Sequence, residues 1–203
     1  MIVNRILDYI LYSPGLITVL RELNLRRPGI SGREIARLTG ITHRSALKAL
    51  DNLEALRLVE RQVIGKAYSF TVNRKHYVYQ YVIAPIFEAE KELGNSINNK
   101  IKKTLGKFSI SIILFGSVAR KEENYESDLD ICIVYKSGRR LLEEKVSQLR
   151  GDLFSRYGIS LAPYYISEKD FRSKAKNRKL PVINILREGR VISGKTITRM
   201  IDG

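Results

Sequence analysis

The chain has 203 residues, enough for one large domain or two small ones, and its 44% hydrophobic share excludes an intrinsically disordered protein. No apolar run approaches the roughly 18–20 residues that span a bilayer, so a membrane partner is not expected. The formal net charge of +15 points to a polyanionic partner (DNA, RNA or nucleotide phosphate), against the plainer reading of a lysine- and arginine-rich surface. The single cysteine, Cys132, excludes an internal disulfide, and the first residues, MIVNRILDYILYSPG, lack a secretory layout, so a cytoplasmic location is expected.

In chain order, Ile6, Leu7, Ile10 and Leu11 set a helical stripe, and Ser13-Pro14 reads as an N-cap followed by proline at the first helical position. Leu16, Val19, Leu20 and Leu23 keep the helical period until Arg26-Arg27-Pro28-Gly29 breaks it. Ser31 with Glu34 three residues on predicts a capping box. Gly40 supplies a tight turn, and Thr42 caps a second helix with Ala46, Leu47, Leu50, Leu53 and Leu56 inward. Thr42, His43, Arg44, Ser45 and Lys48 are then left on or near the exposed face, where such side chains meet phosphates and base edges. A strand over 58–63, a turn at Ile64-Gly65-Lys66 and a strand over 67–72 predict a hairpin, with Arg61 and Lys66 placed to touch a DNA backbone. Residues 13–73 resemble the winged helix-turn-helix of MarR- and ArsR-like regulators, which implies binding of double-stranded DNA. A winged helix used for protein contacts is the alternative.

The segment HYVYQYVIAPIFEAEKELGNSINNKIKKTLGK predicts one or two helices with a kink at Pro85. Its stripe of Tyr77, Tyr81, Ile83, Ile86, Phe87 and Leu93 reads as helix packing or a homodimer seam.

The second half begins with a short buried strand, SISIILF, that runs into Gly116-Ser117 and a short helix. A glycine there allows close approach of a backbone or a phosphate, and a helix N-terminus attracts anions. Asp128-Leu129-Asp130 opens the next apolar strand, and alternation puts Asp128 and Asp130 on one face, about 7 Å apart along the chain. Such a pair repels itself and costs desolvation unless a divalent cation compensates. The alternatives are that Asp128 caps a turn, that Asp130 pairs with Arg120 or Lys121, and that Ser117 is only a helix cap. Cys132 reads as a small core residue.

Gly116-Ser117, ten residues, then Asp128-Leu129-Asp130 resembles the motif of minimal nucleotidyltransferases of the DNA polymerase beta superfamily. The resemblance covers roughly residues 107–195. It implies Asp128 and Asp130 as catalytic, Mg²⁺- or Mn²⁺-binding carboxylates, and Gly116, Ser117 and Arg120 as contacts to a nucleoside triphosphate such as ATP. It also implies transfer of a nucleoside monophosphate to a hydroxyl, with a protein acceptor or toxin partner as one acceptor class. The family's active members usually carry a third carboxylate on the next strand. Here ISLAPYYIS has none; Ser160, Ala162 and Tyr164 stand at the candidate positions, and Glu168 and Asp170 come after it. That departure supports a second expectation, a non-catalytic regulator or antitoxin that senses nucleotide or binds a partner. LPVINILREGRVISGK predicts a helix and a short final strand.

The expected fold is therefore α+β: a winged helix at 1–74, a connecting helical segment at 75–106, and a nucleotidyltransferase-like mixed sheet with flanking helices at 107–203.

Overall fold

A computed structural model describes residues 4–65 and 67–202. It divides into two compact units, residues 1–92 and 93–203.

In the first unit, α1 (Ile6–Leu11) leads to α2 (Pro14–Asn24), with Pro14 at its start and Ser13 as N-cap. The Ser13 side chain makes no capping bond. In α3 (Gly32–Thr39), the Ser31 hydroxyl accepts from the Glu34 N–H at 3.2 Å. The expected box is half formed, because the Glu34 carboxylate takes a bidentate bond from Arg37 (2.9 and 2.6 Å) one turn on instead of reaching back. Gly40 sits at φ +71°, a left-handed turn that suits glycine. Then α4 (His43–Ala55) buries Ala46, Ala49, Leu50 and Leu53. A hairpin of β1 (Val59–Ile64) and β2 (Ala67–Val72) follows, paired from Val59–Val72 to Ile64–Ala67. Leu16, Val19, Leu20, Ile35, Leu50, Leu53, Leu58 and Phe70 join one core with Tyr79, Ile83 and Phe87 from the segment that follows.

That segment is a wide turn of π-helix (Tyr79–Ile83) that continues into one helix, α5 (Ala84–Leu105). The predicted kink at Pro85 takes this form for a reason. Proline lacks the N–H for the usual bond four residues back, and the widened turn just ahead absorbs the change. The predicted apolar stripe splits: Ile83 and Phe87 are buried, while Tyr77, Tyr81, Ile86 and Leu93 are exposed. Tyr77 and Tyr81 touch each other, with ring centroids 4.7 Å apart. The boundary between the two units falls inside α5.

The second unit is a four-stranded sheet in the order β5-β4-β3-β6. It runs through β3 (Ser111–Leu114), α6 (Gly116–Arg120), β4 (Leu129–Tyr135), α7 (Arg139–Tyr157), β5 (Leu161–Ser167), α8 (Glu168–Lys176), α9 (Val182–Glu188), β6 (Arg190–Gly194) and α10 (Ile197–Asp202). β3 is antiparallel to β4 and β6, and β4 is parallel to β5, so the sheet is mixed. The chain is thus an α+β protein, and the closing helix α10 has no counterpart among the predicted elements. Alternation along β4 sends Leu129, Ile131 and Ile133 into a core with Leu142, Val146, Leu149 and Leu153 of α7. Cys132 and Val134 enter the opposite core, with Phe171, Val182, Ile185 and Met200. Both faces of the central strands are covered, which is why β4 reads as a continuous apolar run after its two aspartates.

Candidate active site

The Gly116-Ser117 turn lies at the end of β3, flanked by β4 on one side and β6 on the other. Leu114 pairs with Ile131 of β4, and the Phe115 N–H donates to the Asp130 carbonyl at 3.0 Å. On the other side Leu114 pairs with Arg190, the residue two after Glu188. This register brings Gly116, Asp130 and Glu188 together from positions as far as 72 residues apart.

Gly116 has φ +74°, and a Cβ there would land on Asp130 Oδ2, with Asp130 Cγ at 3.0 Å and its Cβ at 3.2 Å. Two independent constraints, a left-handed backbone and a carboxylate packed against Cα, therefore favour glycine strongly. Asp130 is half-buried, and its carboxyl is held above the ordinary aspartate range, mainly by burial and then by the charge of Asp128; Arg120 works the other way. Asp128 is exposed at the head of β4. The loop before it is organised by Asn124 and Ser127: the Asn124 N–H donates to Ser127 Oγ at 2.9 Å, and the Glu126 N–H to Asn124 Oδ1 at 2.9 Å. Those two residues cap the turn, so Asp128 is not spent on it.

Ser117 is the second residue of α6, not its cap, and its hydroxyl has no hydrogen-bond partner among the described residues. Arg120 does not pair with Asp130; its Nε donates to Glu122 at 2.7 Å and its Nη1 to Glu188 at 2.8 Å. Glu188 is 10% exposed. Its Oε1 also accepts from the Gly116 N–H at 3.3 Å, and its Oε2 is buried without a hydrogen bond. Sequence reasoning missed Glu188. Nothing local marks it, since LREGRV reads only as a helix end and a strand start.

The third carboxylate expected on the strand after the aspartates has no candidate in the fold. Asp130 pairs with Ala162 on β5, and the Leu129 N–H bonds the Ser160 carbonyl. Glu168 and Asp170 follow Ser167, which pairs with Tyr135 at the far end of β4. Five residues of strand, roughly 17 Å, separate that end from Asp130. Both are also engaged: Glu168 with Lys195 at 2.8 Å, which lowers its pKa, and Asp170 with Ser167 at 2.7 Å.

Asp130 lies against the Gly116 turn, and Asp128 is close enough for its charge to act on it, so the two offer hard carboxylate oxygens there. Among the described residues no group of three or more His, Cys, Asp or Glu side chains converges on a metal position. This donor set fits a single Mg²⁺ or Mn²⁺ that takes its other ligands from water and phosphate, and does not fit an all-protein cage. Cys132 is fully buried, its thiol pushed up to about 12 by that burial, and has no part in this chemistry.

Residues 96–192 match the model of the nucleotidyltransferase domain family. The match takes in 97 of the 203 residues, just under half of the chain. A relative in Methanocaldococcus jannaschii, named as a candidate protein adenylyltransferase, is 35% identical over 94 residues. That match spans 43% of this chain and 64% of the relative, less than two thirds of its length. Two solved structures are also similar. One is a toxin–antitoxin with AMP-PNP, at 20% identity and a TM-score of 0.35, over 51% of this chain and 77% of that one. The other is a mutant of the toxin–antitoxin MntA-HpeT, at 17% identity and a TM-score of 0.35, over 52% and 75%.

The residues expected to meet DNA lie in the first unit. His43, Arg44 and Lys48 are exposed on α4 and have no polar partner among the described residues. Thr42 and Ser45 are exposed but joined: Thr42 Oγ1 accepts from the Ser45 N–H at 3.1 Å and lies 2.9 Å from its hydroxyl. Arg61 is drawn onto α4 by Glu54 (3.2 Å) and Asp51 (4.0 Å), and stacks over Tyr68. Lys66 lies outside the described residues. No helix among the described residues is long and apolar enough to cross a membrane.

Proposed function

We propose that the second unit transfers AMP from ATP to a hydroxyl of a protein acceptor, and that the first unit is a winged helix that binds double-stranded DNA. One observation carries the enzymatic reading: Gly116 is fitted to Asp130 so closely that any side chain there would displace the carboxylate, in a segment with a nucleotidyltransferase match. The protein acceptor and the adenine nucleotide rest on the name of the archaeal relative.

In this reading Asp128 and Asp130 hold one Mg²⁺ or Mn²⁺. When bound, the ion neutralises charge on the phosphates and polarises the α-phosphorus. Ser117, with a free hydroxyl, and Arg120, whose Nη2 is unbonded among the described residues, contact the triphosphate. The acceptor oxygen forms a bond to the α-phosphorus, the bond to the leaving pyrophosphate breaks, and the hydroxyl proton passes to water, since no carboxylate on β5 is there to take it.

The test is incubation of the pure protein with α-labelled ATP, Mg²⁺ or Mn²⁺ and an extract of its host cell, with Asp128→Ala/Asp130→Ala as control. Label on an acceptor that depends on the aspartates supports transfer. A second reading, a nucleotide-sensing regulator or antitoxin without catalysis, is favoured by Ala162 standing beside Asp130 where a third carboxylate would be. Nucleotide binding without label transfer from any of the four NTPs would select it.

A further inference from the structure

Glu188 is the one strongly buried carboxylate at the Gly116 turn that the proposed chemistry leaves without a role. Several features set it apart from a surface ion pair. Its side chain is 10% exposed, whereas Glu122, the other partner of Arg120, is 64% exposed. Oε1 receives two donors at once, the Gly116 N–H at 3.3 Å and Arg120 Nη1 at 2.8 Å. Oε2 is shut off from solvent with no hydrogen bond, and Arg187 Nη2 lies 3.7 Å from it. A buried carboxylate left half-satisfied costs stability, so its retention calls for a reason.

Two roles for such a group are excluded by placement. Oε2 cannot take a proton from a substrate while it is sealed from solvent. Glu188 also does not join Asp128 and Asp130 as a third metal ligand, because no such group of three converges among the described residues. What remains is the pair of bonds from Oε1. One fixes the peptide that opens the Gly-Ser turn. The other fixes the guanidinium of Arg120, whose Nε is fixed in turn by Glu122. With Nε and Nη1 both held, the plane of the guanidinium is set, and Nη2 has one direction in which to point.

We propose that Glu188 is a positioning residue: from the β6 side of the turn it locks Arg120 and the Gly116 N–H into the arrangement that receives the nucleotide phosphates. This rests on the nucleotidyltransferase reading above. It also places a carboxylate opposite to where the family pattern expects one, on the β6 side of β3 and not on β5, and gives it a different task.

The test is equilibrium binding of ATP with Mg²⁺ to the full chain, for wild type, Glu188→Gln, Arg120→Ala and the double variant, with thermal unfolding of each. Glutamine keeps an acceptor for the Gly116 N–H and removes the charge that holds Arg120. Glu188→Gln is expected to weaken ATP binding by roughly 10–100-fold, by analogy with the loss of a partner that orients a metal-ligating side chain. The same substitution is expected to change nothing further in the Arg120→Ala background. Wild-type affinity in Glu188→Gln, or an equal loss with and without Arg120, would overturn the assignment. Should Glu188→Gln fail to fold, Arg120→Gln tests the same link from the exposed side, and unchanged ATP binding there is equally fatal. If the wild-type protein itself binds no nucleotide, the nucleotidyltransferase reading falls and takes the assignment with it. That result is distinct from a wild type that binds and a variant that binds as well.

Discussion

Replacing Gly116 with alanine separates the two demands made on this position. The backbone demand is the left-handed φ of +74°, which costs an L-residue about 1–2 kcal/mol. The packing demand is the overlap of the new Cβ with Asp130 Oδ2 and its tight approach to Cγ and Cβ. Forced overpacking of this kind costs about 1–3 kcal/mol. Gly116→Ala should therefore lose about 2–5 kcal/mol. Gly138 provides the internal control, since it has φ +77° and nothing lies within 4 Å of the point where a Cβ would stand. Gly138→Ala should lose only the backbone part, about 1–2 kcal/mol. The remainder is assigned by a double-mutant cycle with Asp130→Ala, which removes the overlapping oxygen and Cγ. The coupling should be about 1–3 kcal/mol in favour of the double variant. Guanidinium unfolding followed by far-UV circular dichroism measures every variant against wild type. If Gly116→Ala costs no more than Gly138→Ala, and the cycle closes to within about 0.5 kcal/mol, then Asp130 does not press on this turn and the argument for the site is wrong. In the labelled-ATP assay Gly116→Ala should lose about 100-fold, because a reacting carboxylate displaced by about 1 Å no longer meets its target.

Asp130 makes a second prediction, about pH. Burial and Asp128 keep its proton on to higher pH in the folded protein than in the unfolded chain, so the fold binds more protons there and loses stability as pH rises through that window. Asp130→Asn should be more stable than wild type by a margin that grows as pH rises above about 4, read from unfolding midpoints; parallel curves would contradict it. In the first unit, Arg74 spans Tyr79 Oη (2.7 Å) and the carbonyls of Asn24 (3.0 Å) and Arg26 (3.1 Å) with one planar fork. Lysine cannot span them, so Arg74→Lys and Arg74→Ala should each lose about 1–3 kcal/mol, and full stability in the lysine variant would refute the fork argument. If α4 meets DNA, Arg44→Ala and Lys48→Ala should each lower the salt slope of duplex binding by about one unit, while Arg61→Ala, already held by Glu54 and Asp51, should lower it less. Equal slopes for all of these variants would remove α4 as the contact face.

What the sequence made legible was whatever a local rule governs. Capping residues marked the starts of α3 and α4, with Ser31 and Thr42 each accepting from an N–H three residues on. Alternation along β4 set Leu129, Ile131 and Ile133 against Cys132 and Val134, because a strand has only two faces. Local rules misled where a side chain had two partners to choose from. Glu34 had the spacing of a capping box, but Arg37 offers a charged bidentate partner one turn on and takes it. Arg61 looked free for a phosphate, but Glu54 and Asp51 of α4 lie across from it in space. The aromatic stripe divided for a related reason. Tyr77 and Tyr81 lie on the side of their helix away from Ile83 and Phe87, and only the latter pair found a core.

The search for a third carboxylate shows the same limit at the site itself. Reading forward from Asp130, the only strand to inspect is the next one, and Ala162 ends the search there. The sheet, however, is not laid down in chain order. Its last strand returns to lie beside its first, so β3 is flanked by β4 on one side and β6 on the other. That return carries the end of α9 to the Gly-Ser turn, and Glu188 reaches Gly116 across 72 residues of chain. No spacing rule could predict this contact, because the spacing depends on the lengths of α7, α8 and α9, of which only the last residue of α9 reaches the site. The aspartates belong to a motif that one strand–turn–helix–strand unit can hold by itself. The residue that holds Arg120 belongs to the sheet as a whole, which is why it emerges only once the strand order is known.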